Sequence, residues 1–119
     1  MKLSEAEWAV MESLWRAPRR SLADVSAELK TVKGWSKNTV HTYLTRMEKK
    51  ALVSIDHSLA KPYAAAVSRS DCAREERTEL LDKVYGGEAG ELIAAFLKES
   101  SISREEIERL RNLLDEMEV

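Results

Sequence analysis

Between Ser36 and Lys50 the sequence SKNTVHTYLTRMEKK gathers three threonines, an asparagine, a histidine, an arginine and three lysines. None of them is spaced for catalysis. They are suited to hydrogen bonding against a surface. Asparagine can bond adenine in two places, threonine offers a hydroxyl and a methyl for thymine, and arginine can bond guanine or phosphate. At helical spacing, Val40, Tyr43, Leu44 and Met47 fall on one apolar arc. Asn38, Thr42, Thr45 and Lys49 lie opposite, flanked by Thr39, His41 and Arg46, and the only acid in the run, Glu48, sits near the apolar edge. Threonine and asparagine are weaker helix formers than alanine, glutamate or lysine, so this face costs a helix about 2 kcal/mol. A face that needed only solubility would not carry them. Reading base edges is the chemistry they suit, with an ordinary solvated helix as the plain alternative.

Other chemistry is hard to assemble. His41, His57 and Cys72 belong to different elements and share no metal-ligand spacing. The chain has no Gly-rich phosphate loop, no Gly-x-Ser-x-Gly and no His-Glu-x-x-His. Glu75, Glu76 and Glu79 read as a solvated helix face, and Cys72 as an inert helix residue. No enzymatic activity, cofactor or metal is therefore expected. One cysteine cannot form an intrachain disulfide. No apolar run approaches the roughly 20 residues of a membrane helix, and the first residues lack a secretory pattern. The expected setting is the cytoplasm.

Helix starts around this segment are unusually legible. Leu3-Ser4-Glu5-Ala6-Glu7-Trp8 places Ser4 as N-cap, Glu7 as its capping-box partner and Leu3 against Trp8 as a hydrophobic staple. Trp8, Met11, Leu14 and Trp15 then form an apolar stripe that stops before Pro18. A second helix opens at Ser21 with Asp24 and buries Leu22, Val25 and Leu29; a third opens at Ser36, stapled by Trp35 and Val40. After it the period changes. Two short strands around a turn, LVSIDH and PYAAAV, predict a β-hairpin with Pro62 at a strand start.

Three helices and a hairpin in this order make a winged helix-turn-helix, whose third helix enters the major groove of double-stranded DNA. The candidate base-facing residues are then Asn38, Thr39, His41, Thr42, Thr45 and Arg46. Lys49, Lys50 and the wing residue Lys61 are candidate phosphate contacts, while Arg19, Arg20, Lys30 and Lys33 are either phosphate contacts or solvated charges. Charge supports the assignment. Residues 1–70 hold 12 Lys/Arg and 7 Asp/Glu, whereas residues 71–119 hold 7 and 14. A basic part that meets a polyanion and an acidic part with another task are implied. The competing reading is a winged-helix module whose third helix docks a partner protein; a basic, threonine-rich face favours DNA.

The stretches EWAVMESLW, WSKNTVHTYLTRMEKKALV, KPY and EEIERLRNLLDE together resemble the BlaI/MecI/CopY family of bacterial repressors, over nearly the whole chain. The resemblance implies a winged-helix domain, a three-helix dimerisation domain, and repression by a homodimer on a pseudo-palindromic operator. It matches the family's DNA-facing positions to Asn38, Thr39, Thr42 and Arg46. The family often has proline and a basic residue at Lys37 and Asn38, arginine at His41 and glycine at Ala51. In some members a membrane-sensor-linked protease cuts an Asn-Phe bond; here that bond is Ala95-Phe96, with the phenylalanine but not the asparagine. The Cys-x-Cys pairs of the copper-responsive branch are missing, and copper(I) would require such thiolates.

The acidic half, residues 70–119, reads as three helices. The first runs from Ser70 to Tyr85 and ends at Gly86-Gly87, the second from Glu88 to Glu99, and the third opens with a Ser103/Glu106 box and an Ile102/Ile107 staple. Ile107, Leu110, Leu114 and Met117 have the spacing of a heptad seam. So short a helix does not hold itself, so the seam packs either within its own unit or across a two-fold axis. The second option draws in Leu80, Leu81, Leu92, Ile93 and Phe96 as dimerisation residues. The expected organisation is mainly α with a small β-hairpin wing: a winged helix-turn-helix domain over 1–69, then a helical dimerisation domain over 70–119.

Overall fold

A computed structural model of the chain describes residues 2–117. Helix α1 spans Glu5–Leu14, α2 Leu22–Lys33 and α3 Lys37–Lys49. Strands β1 (Val53–Ile55) and β2 (Tyr63–Ala65) pair antiparallel, Ser54 opposite Ala64. Helices α4 (Arg69–Tyr85), α5 (Ala89–Glu99) and α6 (Arg104–Glu116) follow. The fold is therefore mainly helical with a two-stranded wing, as the sequence implied. None of the described helices is long and apolar enough to cross a membrane.

Local chemistry explains the boundaries. Ser4 and Ser21 sit in extended backbone and form full capping boxes with Glu7 and Asp24. Ser36 and Ser103 cap α3 and α6 by accepting from the amides of Thr39 and Glu106. At Ser103 the expected box takes a different form, because the Glu106 carboxylate accepts the Ser103 hydroxyl at 3.3 Å. Helix α2 ends on Gly34 (φ 69°), and α4 is followed by Gly86 and Gly87 at φ 57° and 84°, conformations that glycine adopts without strain. Helix α3 ends the same way without a glycine. Ala51 takes φ 62°, while Leu52 N–H reaches the Met47 carbonyl and Ala51 N–H that of Glu48. These are the two bonds of a Schellman turn.

Two compact units divide within α4, one spanning Met1–Arg77 and the other Thr78–Val119. The first holds the core. Val10, Met11 and Leu14 from α1 meet Val25 and Leu29 from α2 and Val40, Leu44 and Met47 from α3, closed by Leu52, Val53 and Tyr63. Each such burial contributes about 1.5–3 kcal/mol. Leu22, Trp8 and Trp15 pack against this core half-buried. The backbone of Arg20 pairs with Tyr63 in both directions, at 2.7 and 3.0 Å, adding a short third rung to the wing. The first turns of α4 are held here too. Cys72 is buried, Trp8 Nε1 donates to Glu76 at 3.1 Å, and Arg69 pairs with Glu12 at 2.7 Å.

The second unit is different in kind. Among the described residues, α5 and α6 contain no buried side chain. Ile93, Phe96, Leu97, Leu113, Leu114 and Met117 are all between 47% and 61% exposed. Leu80, Ile107 and Leu110 are exposed as well, and Leu81 and Leu92 half-buried.

Candidate nucleic-acid interface

Helix α3 is anchored from one side only. Val40, Leu44 and Met47 are fully buried, and Tyr43 stacks on Trp35 with centroids 4.7 Å apart. That anchoring leaves Asn38, His41, Thr42, Arg46 and Lys49 exposed, with Thr39 and Thr45 half-buried at the margins. The face is one continuous stripe, as its angular order implied. Glu48 is exposed as well and, two turns beyond His41, lies on the same edge of the stripe, next to the apolar arc.

The threonines are not equivalent to free hydroxyls. Thr42 Oγ1 donates to the Asn38 carbonyl and Thr45 Oγ1 to the His41 carbonyl, both at 3.0 Å. Thr39 Oγ1 shares a 3.1 Å hydrogen bond with Ser36 Oγ at the cap. By contrast, the side chains of Asn38, Arg46 and Lys49 make no hydrogen bond or ion pair with other described residues, so their polar groups are available to an incoming ligand.

The basic residues sort themselves by partner. Lys50 Nζ lies 2.8 Å from Glu7 Oε2, so it is tied to the start of α1 and is not a free cation. Burial raises the Glu7 pKa, but the Lys50 hydrogen bond and the Ser4 amide outweigh it and hold the carboxyl below its ordinary value. Lys61 stands exposed in the wing turn. Arg19 donates to the carbonyls of Lys61 and Pro62, and so braces the wing. The turn is further closed by Asp56, whose carboxylate accepts from Ser58 N at 3.0 Å and Ser58 Oγ at 2.6 Å. Arg20 is held by Ser13 and Glu28, and Lys33 lies 3.6 Å from Glu5. Arg19 and Arg20 are thus structural braces, a role that their position in the sequence gave no means to separate from phosphate binding. No cluster of His, Cys, Asp or Glu among the described residues could hold a metal ion.

Three core helices, a braced hairpin and an outward stripe of hydrogen-bonding and basic side chains on the third helix define the winged helix-turn-helix class. The chain matches the penicillinase repressor family over residues 3–116, and it belongs to that family. The methicillin resistance regulatory protein MecI of Staphylococcus aureus is 32% identical over 116 residues, 96% of this chain and 94% of that protein. Penicillinase repressors of Staphylococcus aureus and Bacillus licheniformis are each 29% identical, over 98% and 97% of this chain and 94% and 91% of theirs. A solved MarR/EmrR family transcriptional regulator from Acinetobacter sp. ADP1 aligns at a TM-score of 0.42 and 21% identity over 97% of this chain and 78% of that one, too distant to add to the fold. The family comprises transcriptional repressors and not enzymes. The Ala95-Phe96 bond lies inside α5, Ala95 half-buried and Phe96 exposed.

Proposed function

We propose that the chain represses transcription as a homodimer bound to a pseudo-palindromic operator. The winged-helix part, 1–69, meets DNA and the helical part, 70–119, pairs the two copies. The observation that carries this reading is the α3 stripe, in which Asn38, His41, Thr42 and Arg46 stand exposed on a helix fixed by Val40, Leu44 and Met47. Thr39 and Thr45 border the base-reading face. Lys49 and Lys61, both exposed, contact phosphates in this reading; Lys50 joins them only insofar as Glu7 releases it. The apolar side chains of α5 and α6, Leu92 half-buried and the others largely exposed in a single copy, supply the dimer surface together with Leu80 and Leu81 of α4. A two-fold axis would place two recognition helices about 34 Å apart, on successive major grooves. The cytoplasm is the compartment where such a protein meets its operator.

Titration of duplex DNA with the purified protein at several salt concentrations tests the reading. Affinity should fall with a log–log slope of about −0.9 per phosphate contacted. Affinity independent of salt would favour a protein-docking role for the same helix.

A further inference from the structure

The hydrogen bonding of α3 narrows what its central threonine can recognise. Thr42 sits between Asn38 and Arg46 on the exposed stripe, one helical turn from each. Its hydroxyl proton is directed at the Asn38 carbonyl, 3.0 Å away. A helical threonine populates two χ1 rotamers because its Oγ1 can bond a carbonyl of the preceding turn. With Oγ1 turned in against that carbonyl, the γ-methyl occupies a separate staggered position. Turning the proton outward would leave Oγ1 and the Asn38 carbonyl facing each other without a hydrogen, so donation to a base is disfavoured. Thr45 repeats the arrangement on His41, at 3.0 Å, which makes it a property of this face and not of one side chain.

We infer that Thr42 reads DNA through its methyl group, selecting the 5-methyl of a thymine in each operator half-site, and does not read it as a hydroxyl donor. This rests on the DNA-binding reading proposed above and names the base that one residue selects. Thymine is the base whose major-groove edge carries a methyl, and threonine's methyl is one of the groups that packs against it. The polar neighbours on the stripe, Asn38 and Arg46, are left to supply hydrogen-bond recognition.

An operator obtained by selecting bound duplexes from a random pool provides the test. Each thymine is replaced in turn by deoxyuridine, which removes only the methyl, and binding is measured for wild type, Thr42→Val, Thr42→Ser and Thr42→Ala. Folding of each variant is checked by thermal melting. Wild type should lose about fivefold in affinity per half-site at one symmetry-related thymine pair. Thr42→Val, which keeps a methyl at the same branch point, should bind within about twofold of wild type. Thr42→Ser should lose as much as the uracil replacement and show no further loss on the uracil duplex. The inference is overturned if Thr42→Val falls with Thr42→Ala, or if no thymine methyl matters to wild type. Failure of wild type to select any sequence would instead remove the DNA-binding reading itself.

Discussion

The ammonium of Lys50, at the end of α3, lies 2.8 Å from the carboxylate of Glu7, in the first turn of α1. Glu7 is 6% exposed and also accepts from the Ser4 amide at 2.9 Å, so one side chain caps α1 and ties the end of α3 to it. Glu7→Gln keeps an acceptor for Ser4 but removes the charge. It should destabilise the protein by about 1–2 kcal/mol at neutral pH, read from urea unfolding. Because the folded carboxyl is depressed below 4.5, its contribution is present above that pH and is lost as pH falls through the lower folded value. The gap between wild type and variant should therefore narrow in acid. A gap that stays constant from pH 7 to pH 3 would show that the charge contributes nothing.

Ala51 holds a left-handed conformation, φ 62°, in the turn that sends the chain from α3 into the wing. A side chain there costs roughly 1–2 kcal/mol of steric strain, partly offset by the greater entropy a glycine loses on folding. Ala51→Gly should stabilise the protein by about 0.5–1 kcal/mol and raise its melting temperature by a few degrees. A lowered melting temperature would mean that the turn relaxes around alanine.

Much of this was legible in the sequence, for a physical reason: caps and amphipathic faces are local. Ser4, Ser21, Ser36 and Ser103 each start a helix where their neighbours implied, and the apolar order of Val40, Leu44 and Met47 placed the outward stripe correctly. Contacts between distant segments were not legible. Nothing near Lys50 in the chain announces Glu7, 43 positions away. Likewise the Arg20–Tyr63 bridge and the Trp8–Glu76 hydrogen bond join segments that only the fold brings together. The threonine back-bonds are local, but composition alone does not reveal which way a hydroxyl turns.

Arg46 and Lys50 are both cations at the end of α3, yet they should behave differently when removed. Arg46 is exposed and unpaired among the described residues, whereas Lys50 is engaged by Glu7. Arg46→Ala should cost about 1–3 kcal/mol of operator binding with no change in melting temperature. Lys50→Ala should lower the melting temperature and leave the salt dependence of binding unchanged. Fluorescence anisotropy with a labelled duplex, paired with thermal melts, separates the two; an unchanged affinity for Arg46→Ala would strip it of a base-reading role.

Leu114 is 61% exposed and Leu110 36% exposed on α6, in a helix with no buried residue of its own. Charges introduced into an apolar interface are strongly unfavourable. Leu110→Asp combined with Leu114→Asp should convert a dimer to monomers by analytical ultracentrifugation, leaving the helical content of the winged-helix unit intact. A dimer that persists would place the interface away from α6.

Selection of bound duplexes from a random pool, followed by sequencing, puts the central claim to its most direct test. Two copies of α3 related by a two-fold axis should enrich a symmetric consensus whose half-site centres lie about 10 base pairs, or a multiple of that, apart. A pool that remains random after repeated rounds, or a consensus without two-fold symmetry, would contradict a homodimer reading DNA through the Asn38–Arg46 stripe.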